Sequence, residues 1–220
     1  MDPQPSDPQP TNPVSTPAET LIRYLGEARA GMLAKLEGLD ERALRWPHTM
    51  TGANLLGIVK HCASIELGYL GDCFGRPTGI LLPWFDDDAE PNADFFCTPD
   101  ESADDIRALL HAAAESSTAT LRELPLEAEG RVPWWVGRER VTLHQVSVHL
   151  LTDLARHAGH MDIVREMIDG NVGMRRPGDN MAEVDWASYR ARLEGLADQA
   201  GSGGVTSGGV ASRGVTSTGW

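Results

Sequence analysis

Thr142–Asn171 reads TLHQVSVHLLTDLARHAGHMDIVREMIDGN. Its apolar residues recur at three and four positions, a cap-forming threonine opens it, and Asp169-Gly170-Asn171 stops it, so the spacing predicts one long helix. At about 100° per residue, His149, Asp153, His157 and His160 share one narrow arc, and His144 points the opposite way. Val146, Leu150, Val164 and Met167 lie on or beside that arc, which predicts that it faces the interior of a helical protein.

Working outward, three more segments carry the same periodicity. Leu21, Leu25, Ala28, Met32 and Leu36 follow the capping sequence Thr16-Pro17-Ala18-Glu19. A second helix is expected from about Gly52 to Phe74. A third is expected to begin at Thr98-Pro99-Asp100-Glu101 and to carry Ile106, Leu109, Leu110, Ala113, Leu121 and Leu124. A shorter helix is expected over about Val184 to Leu196. Val132–Val136 could form a brief strand. The fold expected is therefore all-α, a four-helix bundle with one long crossover. That crossover, Pro77 to Pro99, holds Trp84, Phe85, Phe95 and Phe96, and connections of such length are commonly functional.

Three domain segments follow. Residues 1–17, with six prolines, read as a disordered arm; residues 18–200 read as the helical domain; residues 201–220 read as a flexible Gly/Ser-rich tail. No apolar run approaches the roughly 20 residues of a bilayer span, and MDPQPSDPQPTNPVSTP has no basic-then-apolar leader pattern. A cytoplasmic location with no membrane partner is expected. The net charge of −13 opposes binding to nucleic acid, which leaves small molecules or a second copy of the chain as partners. Cys62, Cys73 and Cys97 are too few and too scattered for a disulfide framework and read as buried free thiols.

The histidine arc poses a physical problem. Imidazoles and a carboxylate on an inward face lose water and need compensation, from mutual hydrogen bonds or from a metal ion. Asp153 and His157, one turn apart, can grip one ion from a single helix. His61, on a predicted face with Ile58, Ile65 and Tyr69, is the best third ligand, and two histidines with a carboxylate leave coordination positions open. Single histidines on apolar faces are more often hydrogen-bonded core residues. Glu66 reads as a helix-surface charge or as support for a metal, His48 and His111 as surface residues, and Trp134 and Trp135 as packing. Phosphate-binding glycine loops, nucleophile elbows and HExxH are absent from the sequence.

Trp46, Leu55-Leu56-Gly57-Ile58-Val59-Lys60-His61, Arg131-Val132-Pro133-Trp134-Trp135 and Ala155-Arg156-His157-Ala158-Gly159-His160-Met161-Asp162-Ile163 together resemble the DinB-like superfamily. The narrower likeness is to its actinobacterial branch of mini-circle proteins, or mycothiol S-transferases. The resemblance covers roughly residues 18–197. It implies an up-down-down-up four-helix bundle holding one divalent metal ion, zinc first, with nickel or iron also suited. It places the ligands at His61, Asp153 and His157. Aspartate departs from the family's usual histidine or glutamate and must approach the ion more closely.

His160 stands where many members carry glutamine, which offers it as support or as a replacement ligand. His149 would orient Asp153 or bound solvent. The activity implied is attack on a small electrophile by mycothiol, or a similar low-molecular-weight thiol, as cosubstrate, with His160 or His149 as acid–base groups. A metal-dependent hydrolase and a non-enzymatic metal- or ligand-binding bundle are the alternatives.

Overall fold

The structure, a computed structural model, describes residues 15–202, so most of the proline-rich arm and of the glycine-rich tail lie outside the described residues. Those described are mostly helical, with six helices and one two-stranded sheet. They divide into two compact units, one ending at Met181 and one beginning at Ala182.

In the first unit, α1 (Pro17–Leu36) is opened by a reciprocal capping box between Thr16 and Glu19, with proline preset for the first helical position. A one-turn helix that the periodicity did not predict, α2 (Glu41–Arg45), is capped by Asp40. In α3 (Leu55–Leu70), the Asn54 side chain accepts from the Gly57 N–H, and a single 3₁₀ turn, Asp72–Phe74, follows. The third long helix, α4 (Ala103–Glu123), starts later than expected. Thr98 and Glu101 form a turn, but the capping box belongs to Ser102 and Asp105, the pair nearest the first periodic apolar residue, Ile106. The expected strand over Val132–Val136 is replaced by a hairpin. There β1 (Glu129–Arg131) pairs antiparallel with β2 (Arg140–Thr142), and Val132–Val136 lies in the connection between them. Thr142 then caps α5 (Leu143–Asp169), which ends at Gly170 in the left-handed conformation (φ 74°) that glycine adopts without a Cβ penalty.

The core lies between α1, α3, α4 and α5. Leu25, Met32, Leu55, Leu56, Leu70, Leu110, Leu150 and Leu154 are fully buried in it. A polar cluster crosses it: Arg29 of α1 engages both carboxylate oxygens of Glu66 of α3, and Ser117 of α4 bonds to both residues. Glu66 is thus a wholly buried charge, compensated by a bidentate partner, and not a helix-surface charge. In the second unit, α6 (Trp186–Ser202) opens where Asp185 accepts from the Ala187 and Ser188 N–H groups; it runs further than the Val184–Leu196 expected. No described helix is long and apolar enough to cross a membrane.

Candidate metal centre

The core face of α5 is the row Val146, Leu150, Leu154, Met161 and Val164, all buried. At about 100° per residue His149, Asp153 and His160 sit roughly 55–95° round from the middle of that row, and His157 about 15°. The arc therefore lies along the flank of the core, not inside it as the periodicity suggested. His149 and His160 are exposed, Met167 is 58% exposed, and Asp153 and His157 are partly buried.

Against this flank runs α3. His61 packs edge-on to His157, ring centroids 4.9 Å apart, and two turns along, Tyr69 packs on His149 at 5.1 Å. Positions rise along α3 as they fall along α5, so the two helices are antiparallel and form one seam. In it, ligand atoms of His61, Asp153 and His157 all lie within 4.8 Å of one another, with Asp153 Oδ1 3.6 Å from His157 Nε2. Bonds of about 2.0–2.2 Å put donors up to about 4.4 Å apart around one ion, so donors this close suit a shared cation.

Three features of this arrangement fit a divalent cation. Burial, with the neighbouring His61 adding to it and Asp153 opposing, lowers the His157 pKa from 6.5 to about 4. Its ring is therefore neutral at pH 7, the form that binds metals. Its Nδ1 is also buried without a hydrogen-bond partner, a costly state for a polar atom. His61 supplies the third feature: its Nδ1 is 2.6 Å from Asp94 Oδ2, which directs Nε2 away from that carboxylate. Phe95 stacks on the same ring at 4.0 Å and 18°.

The remaining sequence-selected residues distribute around this cluster. The His160 ring is 5.4 Å from that of His157. His149 Nε2 is 3.2 Å from Tyr69 Oη, so its described hydrogen bond goes to Tyr69. Trp134 donates its indole N–H to the same hydroxyl at 3.2 Å and remains 54% exposed, while Trp135 meets His149 edge-on at 4.8 Å. The two tryptophans thus line the seam as well as packing. His111 and His144 are exposed. His48, expected at the surface, is half-buried, with its Nε2 shielded and unpartnered.

Asp94, Phe95 and the bridging Tyr69 hydroxyl escaped sequence reasoning. Only the length and aromatic content of the Pro77–Pro99 connection hinted at the first two. Cys62, next to His61, is fully buried, and its thiol is pushed well above 9 by burial, with Asp153 and Glu66 adding to it. Burial likewise raises Cys73 and Cys97 to about 11.

The family model for mycothiol-S-transferase matches residues 20–170, which include every residue of this seam. No curated protein matches the chain.

Proposed function

Since this chain belongs to the mycothiol-S-transferase family, we propose that it joins mycothiol, or a closely similar thiol, to small electrophiles at a divalent metal held by His61, Asp153 and His157. The observation that carries this reading is the convergence of three donors from two antiparallel helices beside a buried imidazole nitrogen with no partner. Two imidazoles and a carboxylate suit zinc first and also nickel or iron. A bound cation of this kind lowers the pKa of a thiol from about 8–9, so that thiolate forms at neutral pH.

The chain's own residues define the rest. Its three cysteines are held protonated by burial, so the nucleophilic sulfur is expected to arrive with a cosubstrate. The Trp134 indole is fixed by its hydrogen bond to Tyr69 yet half open, and offers an apolar wall for the electrophile beside Tyr69, whose other neighbour, His149, is one turn from Asp153. An indole N–H only donates, so Tyr69 accepts from Trp134. Its own buried O–H then needs an acceptor, which His149 Nε2 provides. That bond leaves Nδ1 as the nitrogen of His149 available to a substrate, and the exposed residue could return a proton to the product only after taking one up, for instance from the thiol. His160, exposed beside His157, is the second acid–base candidate.

The helix contacts support the up-down-down-up bundle. Lys35 meets Asp162 and Arg165 donates to the Lys35 and Glu37 carbonyls, which aligns α1 with α5. Lys60 of α3 pairs with Glu101, just before α4, and Glu66 further along α3 with Ser117 further along α4, so the two helices run in the same direction. Unpaired cysteines accord with a reducing cytoplasm.

The test is the metal content of the purified full chain and its His157→Ala variant, followed by mycothiol consumption with a bimane electrophile. About one ion per chain, with ion and transfer both lost in the variant, is expected. Equal thiol consumption by both proteins would overturn the reading.

A further inference from the structure

The connection between α3 and α4 is long, yet it is tied to α3 or its cap at Trp84, at residues 93–96 and at Glu101. Lys60, buried to 2% exposure, donates to the carbonyls of Ala93 and Phe96 at 3.0 Å each and pairs with Glu101 at 2.6 Å. Its ammonium also lies 4.0 Å from the Trp84 ring centre, and the Trp84 indole N–H donates to Ser64. Asn54, the cap of α3, donates to the Phe95 carbonyl at 3.0 Å. At Gly57 a Cβ would fall on that carbonyl, so the strap's backbone lies directly on the helix. Between these anchors Asp94 reaches His61 Nδ1 at 2.6 Å, with both side chains about nine-tenths buried or nearly so (13% and 14% exposed).

We propose that this segment is a fixed strap and that Asp94 is a positioning residue, which holds His61 with Nδ1 protonated and Nε2 free toward Asp153 and His157. The proposal rests on the metal-centre reading above. A carboxylate on the far nitrogen of a ligating imidazole fixes its tautomer and ring angle and raises its basicity, and losing such a partner typically costs about 10–100-fold in metal affinity. Phe95, stacked on the ring, removes its remaining rotational freedom. Lys60 acts at one remove, by holding the backbone on either side of Asp94.

Full-length wild type, Asp94→Asn, Asp94→Ala and Asp153→Ala are stripped with chelator and titrated with Co(II), followed by its visible absorption, and with Zn(II) against a chelating indicator. Asp94→Asn keeps an acceptor oxygen and is expected to weaken Zn(II) about tenfold. Asp94→Ala is expected to weaken it more and to alter the Co(II) band positions, while the far-UV circular dichroism of both stays that of wild type. A merely structural strap would move the thermal midpoint and leave the Co(II) spectrum of the loaded variants unchanged, which would overturn the proposal. Wild-type affinity in both Asp94 variants, with binding lost in Asp153→Ala, would also overturn it while leaving the metal centre standing. No binding by wild type would remove both.

Discussion

His157 is the residue whose chemistry most constrains the centre. Its pKa is near 6.5 ordinarily and about 4 in the fold, chiefly through burial. Between those values the unfolded chain takes up a proton that the folded chain refuses, so stability of the metal-free protein falls as pH drops from 6.5 toward 4 and carries no such penalty above 6.5. The loss from pH 7 to pH 4.5 is about 2 kcal/mol. Urea unfolding of chelated protein at both pH values, wild type beside His157→Gln, should show a pH-dependent loss smaller by about that amount in the variant. An equal loss in both would place the titration elsewhere.

Trp134 makes a second prediction at this scale. Under the proposed function its exposed indole face would bind the electrophile without reacting, so Trp134→Ala should raise KM for an aromatic electrophile about three- to tenfold, the worth of a modest apolar contact, and leave kcat within twofold. The identities of these residues were legible in the sequence because a helix has one period, and the His149–Asp153–His157–His160 arc followed from it. What periodicity lacked was the partner: whether the arc sat in the core or on its flank depended on where α3 lay. The same gap concealed Glu66, whose partner Arg29 is 37 positions away on another helix.

At the scale of elements, local chemistry marked most boundaries. Thr16, Thr142 and Gly170 do in the structure what their side chains, or lack of one, suggested. The start of α4 was misplaced because two capping-type sequences stand four residues apart and the one nearer the apolar run prevails. The hairpin was missed because its three-residue strands are too short to show a period, and the strap because its anchors are long-range bonds to backbone carbonyls, which leave no trace in side-chain pattern. Gly57 offers the strap's own prediction. Alanine is the better helix former by about 1 kcal/mol, so on propensity alone Gly57→Ala would stabilise α3. Here the added methyl strikes the Phe95 carbonyl, and overpacking of this kind typically costs about 1–3 kcal/mol. A lowered urea midpoint together with weaker Zn(II) binding is expected; a raised midpoint with unchanged binding would show that the strap does not rest on the helix as described.

For the whole molecule, the decisive matter is whether the metal builds the fold or only uses it. Small zinc domains unfold without their ion because the ligands are most of their interior. Here the buried core of α1, α3, α4 and α5 and the Arg29–Glu66–Ser117 cluster stand apart from the seam, and among the described residues the two buried polar side-chain atoms without a partner, His48 Nε2 and His157 Nδ1, belong to neither. Chelation should therefore leave the far-UV circular dichroism intact and lower only the thermal midpoint. Ion at about a thousand times its Kd stabilises by about 4 kcal/mol, which for a chain of this size corresponds to a fall of about 10 °C. Added mycothiol should raise the midpoint of the loaded protein and have no effect on the stripped one, since its sulfur has no other acceptor in the seam. Collapse of helical signal on chelation would instead make the ion structural, and protection by mycothiol without metal would move thiol recognition to other residues. The net charge of −13 acts at the same scale. It repels anionic electrophiles over a range that salt shortens, so raising ionic strength from 20 to 200 mM should increase kcat/KM several-fold for an anionic electrophile and leave a neutral one unchanged. Were both to respond alike, the effect would lie in the metal centre and not in the long-range field.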